Sequence, residues 1–206
     1  MTRRGLRDQP FTGNARATRG LSSRVKLPAV AAVEPPLAAD ETAAVLGELD
    51  RLRFLIAWKC GGLDADGLRA THGPSTVTLG GLLKHLALVE DSHFARLLFD
   101  REPGPPWDAV DWDASPDWEW RSAAQDSPEQ LMSLWNQAVE RSRQTVAEAL
   151  LVGGLDHVGQ YVSRTGESPN LRRILLDLIE EYARHLGHAD LIRESVDGLT
   201  GEDPPG

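Results

Sequence analysis

Apolar residues recur at spacings of three and four in four segments of the chain beyond residue 36, and no long segment alternates apolar and polar positions as a half-buried strand does. The four segments are residues 40–60, residues 78–99, a stretch that begins at Ser127-Pro128-Glu129-Gln130, and a stretch that follows Asn170 and stops at Gly198. Ser127 and Gln130 have the spacing of a capping box, which marks the start of a helix. Four long amphipathic helices predict an all-α fold, a four-helix bundle.

Residues 100–126 form a long segment between the second predicted helix and the third. This segment holds four of the six tryptophans, interleaved with carboxylates. Because large aromatic rings need to be buried, we expect the loop to lie across an open side of the bundle. It is then a structural lid, one wall of a ligand pocket, or both. Trp107, Trp112 and Trp118 are the candidate lid residues.

The charge of the chain is divided unevenly. The net charge is −9, yet residues 1–33 carry seven basic groups and one acidic group, which leaves −15 for the remainder. The basic arm is rich in Gly, Ser, Thr and Pro and has no helical period, so we expect residues 1–36 to be a disordered extension and residues 37–202 to be the folded domain. An acidic body without a basic stripe argues against nucleic-acid binding. No apolar run approaches the roughly 18 residues that a membrane span needs.

Cys60 is the only cysteine, so the chain cannot form an intramolecular disulfide. That usage fits a reducing compartment and predicts a cytoplasmic protein. Arginine outnumbers lysine 19 to 3, which suggests a GC-rich bacterial genome. Cys60 lies where the first helix should end, just before Gly61-Gly62, and has no catalytic partner beside it in the sequence. We therefore expect a buried structural thiol rather than a nucleophile.

The fourth predicted helix carries ionisable groups on its apolar face. At about 100° per residue, seven side chains fall within an arc of roughly 100°. They are Ile174, Leu178, Glu181, His185, His188, Ala189 and Ile192. A carboxylate on such a face costs several kcal/mol unless it is paired, hydrogen-bonded or bound to a metal. Glu181 and His185 are four residues apart, so one turn separates them and they can bind the same ion.

A third ligand must come from another helix, and the second helix offers His85, Glu90 and His93. A set of two histidines and one glutamate leaves at least one coordination position open, which is the arrangement of a catalytic rather than a structural site. Several ionisable groups that converge on apolar faces favour a metal over isolated core histidines. Zinc, nickel, manganese and iron all suit such a set.

Three parts of the sequence carry a resemblance to a known family. They are the segment 78–94 with its Lys84-His85-Leu86 motif, the Trp/Asp loop, and the segment 180–190 with Glu181-Tyr182-Ala183-Arg184-His185. Together they resemble the DinB-like metalloprotein superfamily, and within it the mycothiol-dependent S-transferase and maleylpyruvate isomerase branch. The likeness covers residues 37–202. It implies a four-helix bundle that holds one divalent metal ion, most often zinc.

The resemblance also implies roles for particular residues. Carried over to this sequence, the metal ligands are His85, Glu181 and His185. The candidates for an outer shell or for contact with substrate are Glu90, His93, Asp177 and His188, of which Asp177 stands where close relatives have a histidine.

The implied activity is metal-dependent S-transfer, in which mycothiol reacts as a thiolate with a small electrophile. The expected partners are therefore a small-molecule thiol and an electrophile. A homodimer is compatible with exposed helix faces, whereas nucleic acid and membrane are not expected.

Two other classes of protein remain open from the sequence. A ferritin-like di-metal oxidase uses Glu-x-x-His motifs, and Glu90 to His93 matches one copy, although that chemistry needs a second copy and two further glutamates. A non-enzymatic bundle of the same fold with a structural or vestigial metal is the second alternative.

Overall fold

The computed structural model describes residues 34–204, which form six α-helices connected by short 3₁₀-helical, π-helical and irregular segments. The helices are α1 (Glu41–Cys60), α2 (Ala65–Arg69), α3 (Leu79–Ser92), α4 (Trp118–Ser122), α5 (Pro128–Gly153) and α6 (Leu171–Asp197). The four long helices, α1, α3, α5 and α6, lie in the segments that the apolar spacing predicted, so the all-α fold is confirmed. The basic arm, residues 1–33, lies outside the described residues.

Short polar side chains determine where the long helices begin. Asp40 and Thr78 each accept a hydrogen bond from a backbone N–H in the first turn of α1 and α3. Ser127 and Gln130 form the predicted capping box at the start of α5. The Ser127 hydroxyl accepts from the N–H of Gln130 at 3.2 Å, and the Gln130 side chain accepts from the N–H of Ser127 at 2.8 Å.

The second predicted helix differs from expectation at its C-terminal end. The spacing predicted one helix to residue 99, whereas α3 ends at Ser92 and the chain continues as a π-helix, His93–Leu98. Backbone N–H groups of residues 160 and 161 donate to the carbonyls of Leu98 and Leu97. Gly159 approaches so closely that a Cβ there would lie 2.3 Å from the Leu97 oxygen. A distant loop therefore contacts the end of the π-helix at Leu97 and Leu98, and local spacing does not reveal this contact.

The short helices α2 and α4 lie in the links between the long predicted helices. Each contains five residues, which is too few for an apolar period to identify. The long Trp/Asp loop is therefore partly ordered, with a 3₁₀ turn at Trp107–Ala109, then α4, then a second 3₁₀ turn at Ala123–Gln125. The helix α4 packs on α3.

The four long helices share one apolar core. The helix α1 packs mainly on α6, and α3 contacts α5, α6 and α1. Fully buried core side chains include Ile56, Leu83, Leu86, Ala138, Ile174 and Leu178. Within residues 34–204, no helix combines the length and the apolar character that crossing a membrane would require.

A network of buried hydrogen bonds links all four long helices. Arg53 of α1 donates from Nε and Nη2 to the two carboxylate oxygens of Glu90 on α3, each at 2.8 Å. Tyr182 of α6 donates its hydroxyl to Glu90 at 2.7 Å and accepts from the indole N–H of Trp135 on α5 at 2.8 Å. Glu90 has no exposed surface, so Arg53 rather than water compensates its charge.

Burial and the Arg53–Glu90 pair shift the pKa values of two groups in this hydrogen-bond network, Tyr182 and Arg53. Burial, and then the charge of Glu90, raise the pKa of Tyr182 well above its usual value, so the phenol remains a neutral donor. Burial by itself would lower the pKa of Arg53, but the adjacent Glu90 outweighs it and raises that pKa above the ordinary value. Arg53 therefore keeps its positive charge beside Glu90, and Tyr182 keeps its proton.

We expect Glu90→Ala to lower the free energy of unfolding by about 3–5 kcal/mol, because it leaves the buried Arg53 guanidinium with only the half-exposed Asp50, at 3.0 Å, and removes the acceptor of the buried Tyr182 hydroxyl. Urea denaturation followed by tryptophan fluorescence measures this loss. Glu102→Ala is the control, since it removes an exposed carboxylate that pairs with Arg96 on the surface. The control should change stability by less than about 0.5 kcal/mol. Equal effects of the two substitutions would contradict the role assigned to Glu90.

Candidate metal centre

Three ionisable side chains from two helices converge on one point. Glu181 and His185 lie one turn apart on α6, and His85 comes from the middle of α3. Glu181 Oε2 lies 3.3 Å from His185 Nε2 and 3.9 Å from His85 Nε2. One ligand atom of each residue lies within 4.8 Å of those of the other two. In the part of the chain that the structure describes, this is the one group of three or more such side chains with a spacing that suits a metal ion.

The three side chains stand at the rim of the core. Their exposed fractions are 20% for His85, 27% for Glu181 and 11% for His185. Their neighbours on the same helices, Leu86 and Ala189, are fully buried. Apolar packing therefore anchors the backbone of both helices, while the three side chains keep part of their surface exposed.

A carboxylate from the Trp/Asp loop contacts the other nitrogen of His85. Glu119 on α4 places Oε1 3.2 Å from His85 Nδ1, on the ring edge opposite the Nε2 that faces Glu181. Trp120 stacks on the imidazole of His85, with ring centroids 4.5 Å apart and planes inclined by 24°. The ring of His85 is thus held both at its edge and on its face.

His185 has a similar set of neighbours. Its Nδ1 lies 3.3 Å from Nδ1 of His188, which is otherwise exposed. Burial, followed by the nearby His85, lowers the pKa of His185 to about 4, against an opposing effect of Glu181. His185 is therefore neutral near pH 7 and has a lone pair available for a metal. Arg184 approaches the second oxygen of Glu181 at 3.5 Å.

The chemistry of these groups fits a divalent cation. Imidazole nitrogen and carboxylate oxygen are ligands that zinc takes in catalytic sites. Glu119 is 5% exposed, and its Oε2 has no hydrogen-bond partner among the described residues. A buried carboxylate with one unpaired oxygen is costly unless positive charge lies nearby. A cation bound between His85, Glu181 and His185 would place positive charge near Glu119, on the other side of the His85 ring.

The other histidine and carboxylate candidates lie apart from this cluster. Glu90 is held by Arg53 and Tyr182, and His93 donates from Nδ1 to the backbone carbonyl of Val89 at 2.9 Å. Asp177 pairs with Arg173, one turn earlier on α6, at 2.7 Å. Of the four residues considered for an outer shell or substrate contact, His188 is the one with a contact to a cluster member.

The tryptophans of the loop form a packed group. Trp118 packs edge-on against both Trp107 and Trp112, with centroid distances of 6.2 and 6.3 Å. Trp107 is buried and donates its indole N–H to Asp91 at 2.8 Å. Trp118 receives the ammonium group of Lys84 over its ring, 4.5 Å from the centroid. These three candidate lid residues therefore fasten the loop to the bundle.

Trp120 stacks on His85, a member of the candidate metal site, and also lines a cleft of about 670 Å³. The cleft lies between the segment after α1 and the helix α4, and its polar lining includes Arg69, Asp117 and Arg121. Sequence reasoning missed Trp120 and Glu119. The signal was the Trp118-Glu119-Trp120 triplet, in which one carboxylate is enclosed by two residues that must be buried.

Cys60 lies in the core, 2% exposed, with its sulfur 3.7 Å from the carbonyl of Leu79. Burial raises the pKa of its thiol to about 12, so the thiolate is essentially absent at neutral pH. The predicted structural thiol is confirmed in its burial. Any sulfur nucleophile that this protein uses must then come from another molecule.

Comparison with known proteins gives one family. The sequence model of the mycothiol-S-transferase family matches residues 44–198, which include all four long helices apart from the first residues of α1. No curated protein and no solved structure gives a significant match to the chain. Because the family match covers well over half of its length, this chain belongs to the mycothiol-S-transferase family, within the DinB-like superfamily.

Proposed function

We propose that this protein is a metal-dependent thiol S-transferase that uses mycothiol to modify a small electrophile. The observation that carries the proposal is the convergence of His85, Glu181 and His185 within 4.8 Å in a member of this family. The three residues would hold one divalent ion, for which we propose zinc, with nickel, manganese and iron as the other cations that such ligands accept.

The metal would supply one kind of chemistry. A bound divalent cation lowers the pKa of a thiol, so that the thiolate is populated at neutral pH. Two histidines and one glutamate provide three ligands, so a four-coordinate ion has one position left for the co-substrate. Cys60 cannot replace that co-substrate, because its thiol is buried and protonated.

The protein's own residues orient the reactants. Trp120 contacts the rings of His85 and His185 and also lines the cleft, so a co-substrate seated in the cleft would lie beside the residue that adjoins the metal-binding side chains. Arg69, Asp117 and Arg121 would offer hydrogen bonds to the polar body of the co-substrate. The stacked indole also shields one side of the cluster from water, which strengthens electrostatic interactions there.

The reaction itself is a displacement or an addition at carbon. In the displacement, the sulfur lone pair forms a C–S bond while the bond from carbon to the leaving group breaks. The leaving group departs with that electron pair, and the thiol proton passes to solvent. With an alkyl or aryl halide, the products are the thioether, halide and a proton.

We expect the purified protein to bind one zinc ion per chain, and His85→Ala to bind it far more weakly. Loss of a ligand should cost more than the roughly 10–100-fold that loss of an outer-shell partner costs. Competition with a chromophoric chelator measures the affinity. Zinc at about 100 times its dissociation constant should also raise the free energy of unfolding by about 2.7 kcal/mol.

His72→Ala is the matched control, because it removes an exposed histidine that lies outside the cluster. It should leave zinc affinity and the turnover of mycothiol with an aryl halide unchanged, whereas chelation of the metal should abolish turnover. Two metal ions per chain would instead support a di-metal oxidase. Zinc binding without turnover of any thiol and electrophile pair would support a non-enzymatic bundle.

We expect Cys60→Ala to retain full thiol transfer when mycothiol is supplied, since the native thiol is neither exposed nor ionised. Steady-state rates of the variant and the native protein measure this. In the folded native protein, Cys60 should also resist alkylation by iodoacetamide until denaturant is added. If Cys60→Ala has the same unfolding temperature as the native protein but loses activity, the sulfur takes part in the reaction.

A further inference from the structure

We propose that Glu119 is the positioning residue of the metal site, where it fixes the tautomer and orientation of His85. This inference rests on the proposed function, because it concerns how the chain prepares a ligand for the metal. The hydrogen bond between Glu119 Oε1 and His85 Nδ1, 3.2 Å long, is the observation that carries it.

The bond determines which nitrogen of His85 is free. A carboxylate accepts but does not donate, so His85 must carry its proton on Nδ1 to make this contact. In the neutral imidazole the lone pair is then on Nε2, which is the nitrogen that faces Glu181 Oε2 at 3.9 Å. A histidine in the other tautomer would turn an N–H towards the metal position and could not bind it.

The surroundings of Glu119 hold it in this role. Its neighbour Trp120 lies in a notch on α3, where a Cβ on Gly81 would come within 2.9 Å of the indole. Its other neighbour, Trp118, is held under Lys84, whose ammonium also pairs with Asp126 at 2.6 Å. Both flanking residues thus attach α4 to the helix that carries His85.

The environment of Glu119 also differs from that of the other buried glutamate. Glu90 makes a two-point ion pair with Arg53 and accepts from Tyr182, so its charge is compensated inside the fold. Glu119 has one contact, to His85, and its Oε2 is buried without a partner among the described residues. A carboxylate used only to stabilise the fold would gain more from complete pairing. Its pairing is instead directed at a ligand.

The first test measures the tautomer of His85 in the metal-free protein by ¹⁵N-edited NMR of the imidazole rings. Native protein should show His85 protonated on Nδ1, and Glu119→Ala should lose that preference. Glu119→Gln should retain it in part, because the amide oxygen still accepts a hydrogen bond. Native His85 protonated on Nε2 would overturn the proposal.

The second test measures zinc affinity by chelator competition. Glu119→Ala should weaken binding roughly 10–100-fold, and Glu119→Gln should weaken it less. Asp113→Ala, which removes an exposed carboxylate from the same loop, is the control and should bind zinc as the native protein does. Thermal unfolding of each variant identifies any loss of fold.

The outcomes separate the two proposals. If Glu119→Ala is less stable but binds zinc as tightly as Asp113→Ala, Glu119 has a purely structural role and this inference is wrong, while the proposed function stands. If the native protein binds none of zinc, nickel, manganese and iron, the proposed function fails. The NMR measurement on metal-free protein still decides whether Glu119 sets the tautomer of His85.

Discussion

The buried carboxylate of Glu90 is the constraint on which the arrangement of the long helices depends. Apolar packing is non-directional, so by itself it allows neighbouring helices to slide or rotate with modest loss. An ion pair with Arg53, extended through Tyr182 to Trp135, allows one register, because each of these groups is buried and must find its partner. One residue from each long helix takes part.

The candidate metal site, formed by His85, Glu181 and His185, lies close to this hydrogen-bond network along both α3 and α6. Glu90 follows His85 by five residues on α3, and Tyr182 follows Glu181 directly on α6. At about 1.5 Å per residue, Glu90 and Tyr182 lie within roughly 8 Å of the candidate metal-binding residues along the axes of α3 and α6. By fixing the position of α3 relative to α6, the hydrogen bonds of Glu90 also help to fix the distances between His85, Glu181 and His185. This gives a physical reason why a carboxylate without contact to the metal position matters to the site.

Much of the fold follows from apolar spacing, and the two ends of the site differ in how readily the sequence reveals them. Glu181 and His185 could be predicted because a four-residue spacing on one helix fixes their proximity. His85 needed a second helix, and spacing alone left Glu90 and His93 as alternatives; the family resemblance selected His85. The structure shows what separates them: Glu90 is compensated by Arg53, whereas His85 is held towards Glu181.

Contacts between distant parts of the chain explain what the sequence did not reveal. Gly159 lies close to Leu97, at the end of the π-helix that follows α3, and the role of Glu119 depends on a five-residue helix too short to have a period. In the sequence, Glu119 is one of several carboxylates in an acidic loop. Burial between Trp118 and Trp120 distinguishes it from its neighbours, and that burial exists only once the loop packs on α3.

In the proposed function, His85, Glu181 and His185 would together hold an ion that takes the sulfur of a thiol. X-ray absorption at the zinc edge, measured on the zinc-loaded protein with and without mycothiol, tests this most directly. We expect two imidazole ligands, oxygen ligands, and the appearance of one sulfur at about 2.3 Å when mycothiol is added. A zinc environment without imidazole, or one that gains no sulfur from saturating mycothiol, would contradict it.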